Sequence, residues 1–224
     1  MANTENPSVE EVMESTELGH AIYQNKNAFL AAGLVLVLGI IGFTVFKKQA
    51  EKKNQALLDD IHTYTVSTLK PYVEMKDKTA EHDKIKSSFM TLVTEVDAHP
   101  ATLPLALELA QQLRDAKKNE DALAVLESVY ATAKKNPQLH NLFAFNLSVL
   151  YEDAGKVDEA INVLKPLTNT KIKLDEAKVY FELGRLHLAN KDMANAKTNL
   201  EYVVSNFPND NYATMAKLYL GEMK

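Results

Sequence analysis

The sequence predicts an all-α protein, in which a single N-terminal transmembrane helix is followed by an α-solenoid of antiparallel helix pairs. First, an uncharged and almost entirely apolar run occupies residues 28–46. Second, hydrophobic residues make up 46% of the chain, with only 7 Gly and 7 Pro. That composition is too apolar for a disordered chain and too poor in helix breakers for an all-β one. Third, one pattern of large and small residues recurs in the C-terminal half.

The chain begins with a predicted acidic tail, residues 1–26. This tail holds five acidic side chains and one lysine, while the whole chain has a net charge of −5. A chain with this charge has no broad basic surface, so its composition gives no indication of nucleic-acid binding. The chain has no cysteine, which excludes disulfides, thiolate metal sites and thiol nucleophiles.

The second predicted element is a transmembrane helix over residues 27–46. The run from Ala28 to Phe46 carries no charge, and at 1.5 Å per residue it spans about 28 Å, the hydrocarbon thickness of a bilayer. A buried core helix of this length would carry a polar face. A cleaved secretory signal would begin with a short basic region. Because an acidic tail precedes the run and Lys47-Lys48 follows it, we predict an uncleaved anchor.

The charges around this run leave two orientations open. Lys47, Lys48, Lys52 and Lys53 follow the run, whereas only Lys26 precedes it. The positive-inside rule alone would place the C-terminal side in the cytoplasm. That rule weakens for long domains, and the chain that follows the run is much longer than a short loop.

Residues 47–79 are predicted to form a helical stalk and linker. The segment 51–69 continues the apolar helix, and Pro71 with the polar run 76–78 is predicted to end it. A further amphipathic helix is predicted over residues 80–98, ended by His99-Pro100. That helix begins a repeat domain that covers residues 80–224.

Three segments of this domain match the tetratricopeptide repeat, a helix pair of about 34 residues. They are residues 103–136, 141–174 and 177–210, and residues 212–224 follow as a closing helix. The third segment fits best, with Leu183-Gly184 and Ala196 at the expected positions. Ala122 and Ala160 are the corresponding marker alanines of the first two segments. Small residues at these positions let two antiparallel helices approach closely.

The first helices of the three pairs supply a candidate protein-binding groove. In such solenoids they line the concave face, and aromatic and arginine side chains are the usual anchors of protein interfaces. The predicted groove consists of Leu107, Gln111, Arg114, Phe145, Val149, Glu152, Phe181, Arg185 and Leu188. This lining suits an apolar or amphipathic segment of a partner. The alternative is that Phe145, Phe181 and Leu188 pack on neighbouring helices or on the closing helix.

Residue patterns typical of catalysis are not found in the sequence. The six histidines have no metal-ligand spacing, and no Gly-rich phosphate loop is present. The acidic pairs at 158–159 and 175–176 are predicted helix starts, where acids complement the helix dipole. His187 is predicted to be a partly buried core residue. We therefore expect a protein that binds other proteins and is not an enzyme, with no catalytic residue, cofactor, metal ion or nucleic acid.

The layout of the chain resembles a known bacterial family. An acidic tail, one span, a helical stalk and the segment LPLALELAQQLRDAKKNEDALAVLES are similar to the YfgM-like ancillary subunits of the SecYEG translocon. The resemblance covers nearly the whole chain in layout and is closest over residues 101–130. It implies a single-pass protein of the bacterial inner membrane with a periplasmic tetratricopeptide-like domain. It also implies association with the translocon, a membrane-bound periplasmic chaperone and envelope protein traffic.

From this resemblance we predict a membrane-anchored protein–protein interaction adaptor. One alternative is a scaffold or assembly factor of another cell-envelope complex, with the same anchor and the same repeats. Another is a cytoplasm-facing tether, which the lysines after the apolar run would favour.

Overall fold

The computed structural model describes residues 25–170 and 172–223, apart from the side chains at positions 26, 28–30, 32 and 33. All regular elements within these residues are helices, and none is a strand, which confirms the predicted all-α class. The chain divides into two compact units, residues 1–56 and residues 57–224. The predicted acidic tail lies outside the described residues except for its last two positions.

Helix α1 spans Lys26–Tyr64 and continues through the predicted stalk. In the first unit, large apolar side chains from Leu34 to Phe46 are exposed. Among the residues that the structure describes, no helix combines the length and the apolar character that crossing a membrane requires.

The helix does not end at Pro71, since helical backbone continues to Glu74, but it does end just before the predicted polar run 76–78. A π-helix, Thr65–Leu69, follows α1 and leads into α2, Lys70–Glu74. The Lys70 N–H donates to the carbonyl of Thr65, five residues earlier. This wider turn lies just before the proline, and a local π-turn accommodates a residue that has no N–H to donate within a continuous helix. The helix ends at Met75, whose backbone is extended.

Helix α3, His82–Glu95, precedes the three predicted repeats. The first pair is α4 (Leu103–Asp115) with α5 (Asn119–Ala133), the second is α6 (Pro137–Asp153) with α7 (Val157–Leu164), and the third is α8 (Glu176–Ala189) with α9 (Met193–Asn206). The closing helix, α10, spans Asn211–Glu222, and short 3-10 turns occupy Pro100–Thr102 and Lys165–Asn169. Helix α6 begins before the predicted start of its repeat, because Asn136 caps it by accepting hydrogen bonds from the N–H groups of Gln138 and Leu139.

Small side chains set the close approach of the helices within each pair, as predicted. The marker alanines Ala122, Ala160 and Ala196 are fully buried. A Cβ atom added at Gly184 would lie 2.7 Å from Cγ of Leu200 and 3.3 Å from the carbonyl oxygen of Ala196. Real Cβ atoms do not come as close as 2.7 Å, so a larger residue at position 184 would require the Leu200 side chain or helix α9 to shift.

The same backbone turn joins the two helices of each pair. Lys117, Gly155 and Lys191 have φ values of 61°, 72° and 60°. The residue after each one donates its N–H to a carbonyl five residues back; the pairs are Lys118 with Leu113, Lys156 with Tyr151 and Asp192 with His187, all at 2.8 Å. This arrangement is the Schellman motif, whose left-handed position favours glycine.

We expect Lys117→Gly and Lys191→Gly each to stabilise the repeat domain by about 0.5–1 kcal/mol. A lysine in the left-handed conformation pays a steric cost that glycine avoids, and this outweighs the added entropy of the unfolded chain. Urea unfolding measures the change. The matched control is Lys197→Gly, because Lys197 lies inside α9 with an exposed side chain, and glycine in a helix interior destabilises by about 1 kcal/mol. An equal effect at positions 117 and 197 would contradict this explanation.

The second compact unit begins at Leu57, well before the predicted domain start at residue 80. Tyr64 packs against Phe89 of α3, with ring centroids 6.1 Å apart. Tyr72 and the Nδ1 atom of His82 are hydrogen-bonded at 2.9 Å, and both residues are buried. Residues 57–74 and α3 therefore form an additional helix pair, which contacts α4 and α5. The segment predicted as a linker thus supplies part of the core.

Candidate protein-binding surface

The candidate surface is centred on one face of α6. Leu142, Phe145 and Val149 are three and four residues apart, so they lie along one side of this helix. Leu142 is 44% exposed, and Phe145 and Val149 are half-buried. We call these three residues the α6 stripe. Leu142 was not among the predicted groove residues, although its spacing from Phe145 is the signal that could have identified it.

The Phe145 ring is partly covered by a lysine from the next pair. The Nζ atom of Lys178, on α8, lies 4.1 Å from the ring centroid, a cation–π contact. Lys178 thus covers part of the half-buried ring, and the rest of the ring remains available for contact with a partner protein.

Arg185 and Glu152, both in the predicted groove, bind each other. The Nη1 and Nη2 atoms of Arg185 donate to the two carboxylate oxygens of Glu152 at 2.5 and 2.7 Å, and its Nε donates to Glu182 at 2.9 Å. These hydrogen bonds hold the pKa of the Glu152 carboxyl below its ordinary value. Arg185 therefore fastens α8 to α6.

We expect Arg185→Ala to destabilise the domain by about 1–2 kcal/mol, because a half-buried, doubly hydrogen-bonded ion pair is lost. Since the pKa of Glu152 is depressed in the folded state, its contribution is present above the unfolded-state pKa and is lost as the pH falls through the folded-state pKa. The difference in unfolding free energy between wild type and variant should therefore be full at pH 7 and shrink below about pH 4.5.

Urea unfolding at pH 7 and pH 3 measures this difference. The control is Arg114→Ala, because the Arg114 side chain is 44% exposed and its Nε lies 3.6 Å from Asp153. Such exposed pairs contribute about 0–1 kcal/mol. Equal losses for the two variants at both pH values would contradict the assigned role of Arg185.

Three residues of the predicted groove come from α4 and lie beside α6. Leu107, Gln111 and Arg114 line a shallow groove together with Asn146 and Leu150. The side-chain amide of Gln111 donates to Asp115 at 2.8 Å. The structure therefore brings the α4 residues next to the helix that carries the α6 stripe.

Phe181 does not belong to this surface, because it is only 2% exposed. Its ring centroid lies 5.4 Å from that of Tyr212 and 5.7 Å from that of Tyr219, both on the closing helix α10. The packing alternative therefore applies to Phe181, whereas Leu188 is half-buried. The sequence pattern did not distinguish the two roles, because α10 lies outside the repeat that contains Phe181.

The acidic pairs and His187 lie where the sequence predicted. Asp158 and Glu159 are in the first turn of α7, and Glu176 begins α8. The His187 side chain is 17% exposed, and its Nδ1 lies 3.1 Å from a carboxylate oxygen of Asp192. Within residues 25–170 and 172–223, no group of three or more His, Asp or Glu side chains could hold a metal ion.

Two family models match the chain. One is described as a tetratricopeptide repeat-like domain and matches residues 22–177. The other is described as a tetratricopeptide repeat and matches residues 178–210. The first match spans more than half of the chain and includes α1, the additional helix pair and the first two predicted repeats. No curated protein matches the chain.

Proposed function

The chain belongs to the tetratricopeptide repeat-like domain family, a protein-interaction fold, and from this membership we propose that it is a membrane-anchored adaptor whose α6 stripe binds a partner protein. The observation that carries the proposal is the partly exposed row Leu142, Phe145 and Val149. Apolar side chains exposed side by side, with charged residues around them, are typical of interaction sites. An amphipathic or apolar segment of the partner would cover them.

The membrane anchor of this proposal is the apolar segment of α1, residues 28–46. Its large apolar side chains between Leu34 and Phe46 are 53–70% exposed. Exposure of apolar side chains is unfavourable in water and favourable in the hydrocarbon core of a bilayer. The uncharged run is long enough to span a bilayer only when residues 28–33 are counted with it. The side chains of five of these six residues lie outside the part of the chain that the structure describes.

For location, we propose the bacterial inner membrane, with residues 1–26 in the cytoplasm and the repeat domain in the periplasm. The partners of this proposal are the Sec translocon and a membrane-bound periplasmic chaperone, and its support is the resemblance in layout to the YfgM-like family. Protease added to intact spheroplasts should then degrade the repeat domain and spare the tail. A protected repeat domain would instead favour the cytoplasm-facing tether that the four lysines after the run suggest.

We expect Leu142→Ser to weaken binding to the detergent-solubilised translocon about ten-fold or more, while leaving the melting temperature nearly unchanged. Truncating an interface anchor often costs about 2 kcal/mol of binding, whereas an exposed side chain contributes little to folding. The control is Met193→Ser on α9, because Met193 is 54% exposed and lies away from the stripe.

Equal binding of wild type and Leu142→Ser would exclude the α6 stripe as the binding surface. If wild type itself does not bind the translocon, the proposed translocon association is wrong, and the same pair of variants then tests the α6 stripe against other envelope proteins.

A further inference from the structure

Lysines follow the exposed apolar segment of α1 without a break. Lys47, Lys48, Lys52 and Lys53 are all exposed. The Nζ atom of Lys47 lies 3.9 Å from a carboxylate oxygen of Glu51, so Lys47 is partly neutralised within the helix. Lys48 and Lys52 are four residues apart and therefore lie on the same face of α1. The segment 47–53 has a net charge of +3 from four lysines and one glutamate.

We propose that Lys48 and Lys52 bind the phosphate groups of anionic phospholipids at the surface of the membrane that holds α1. This inference rests on the proposed insertion of residues 28–46 into lipid. Insertion to Phe46 places the next two turns of the helix at the level of the lipid headgroups. Lysine side chains at that level extend their amines to the interface and keep their apolar stems against the lipid.

The expected effect follows from the charge. Each lysine near an anionic membrane surface strengthens the attraction about five-fold. Lys48 and Lys52 point the same way, so their effects add on one side of the helix, where a single phosphate or two neighbouring phosphates can bind both amines. Lys47 contributes less, because Glu51 repels the same phosphates.

The test uses the full chain in nanodiscs made of equal amounts of phosphatidylglycerol and phosphatidylcholine. After mild detergent extraction, mass spectrometry measures the ratio of the two lipids that remain with the protein. We expect phosphatidylglycerol to be enriched on the order of ten-fold with wild type. The enrichment should fall towards parity for the double variant Lys48→Gln, Lys52→Gln, and also in 1 M salt, where the screening length is only about 3 Å.

The control is the double variant Lys117→Gln, Lys118→Gln, which removes the same charge from an exposed turn of the repeat domain and should retain the enrichment. Incorporation into the discs without enrichment, or equal enrichment for both double variants, would overturn the lipid-binding role and leave the anchor intact. The former result would direct the search to an acidic protein as the partner of the lysines. A chain that stays in solution free of lipid would overturn both the anchor and this inference.

Discussion

Removing residues 57–79 from the repeat domain is expected to cost most of its stability. This segment buries Ile61, Tyr64, Leu69 and Tyr72 against the rest of the unit. Burial of a large apolar side chain stabilises a protein by about 1.5–3 kcal/mol, so the four together contribute roughly 6–12 kcal/mol. A typical domain has a total stability of about 5–15 kcal/mol. Phe89, which is fully buried, would also become exposed on α3.

Circular dichroism and urea unfolding of the fragments 57–224 and 80–224 measure this loss. We expect cooperative unfolding of the longer fragment, and a large fall in midpoint with loss of helix for the shorter one. The control is the fragment 47–224, whose ten extra residues lie outside the compact unit and should change the midpoint little. If 80–224 unfolds like 57–224, the additional helix pair is not part of the cooperative core.

Phe181→Ala is expected to destabilise the domain by about 3–5 kcal/mol, the usual cost of removing a buried phenylalanine. Phe181 belongs to a cluster with Leu200, Val203 and Ala216 that joins α8, α9 and α10. Its removal leaves a cavity under the closing helix, so the melting temperature should drop sharply. Phe145→Ala should cost far less, about 1 kcal/mol, because Phe145 is half-buried and its main effect is on binding.

Thermal unfolding and translocon binding, measured on both variants, separate the two roles. Phe181→Ala should bind normally at a temperature where it remains folded, while Phe145→Ala should melt near wild type and bind weakly. Equal melting of the two variants would show that the assigned difference in burial does not hold in solution.

The repeats could be predicted because their positions follow local rules. Ala122, Ala160 and Ala196 mark places where helices must approach closely, and all three are fully buried. The left-handed turn residues Lys117, Gly155 and Lys191 lie at a constant distance before these alanines. A regular pattern in the chain thus corresponds to regular packing.

The additional helix pair could not be predicted in the same way. Pro71 predicts a helix end, but a π-helix lies just before it and the helix continues to Glu74. Residues 57–74 also continue a long helix from the apolar segment, so nothing in their spacing separates stalk from core. Their role depends on contacts with α3, such as Tyr72 with His82, which no repeat pattern specifies.

The sequence could not separate groove residues from packing residues for a similar reason. Residue spacing places Phe145 and Val149 on one side of α6, but it does not show which other elements reach the predicted groove residues. Glu152 engages Arg185 across 33 residues, and α10 covers Phe181. Both contacts depend on how neighbouring pairs stack.

Site-specific photo-crosslinking from position 142 in native membranes tests the central claim most directly. A photoreactive residue replaces Leu142 in one variant and Met193 in the other, since both positions are exposed, and mass spectrometry identifies the attached proteins. We expect position 142 to attach to a specific envelope protein, with the yield falling when Phe145 is also replaced by alanine, while position 193 attaches to none. Crosslinks from position 193 alone, or equal crosslinks from both positions that do not depend on Phe145, would contradict the α6 stripe as the binding surface.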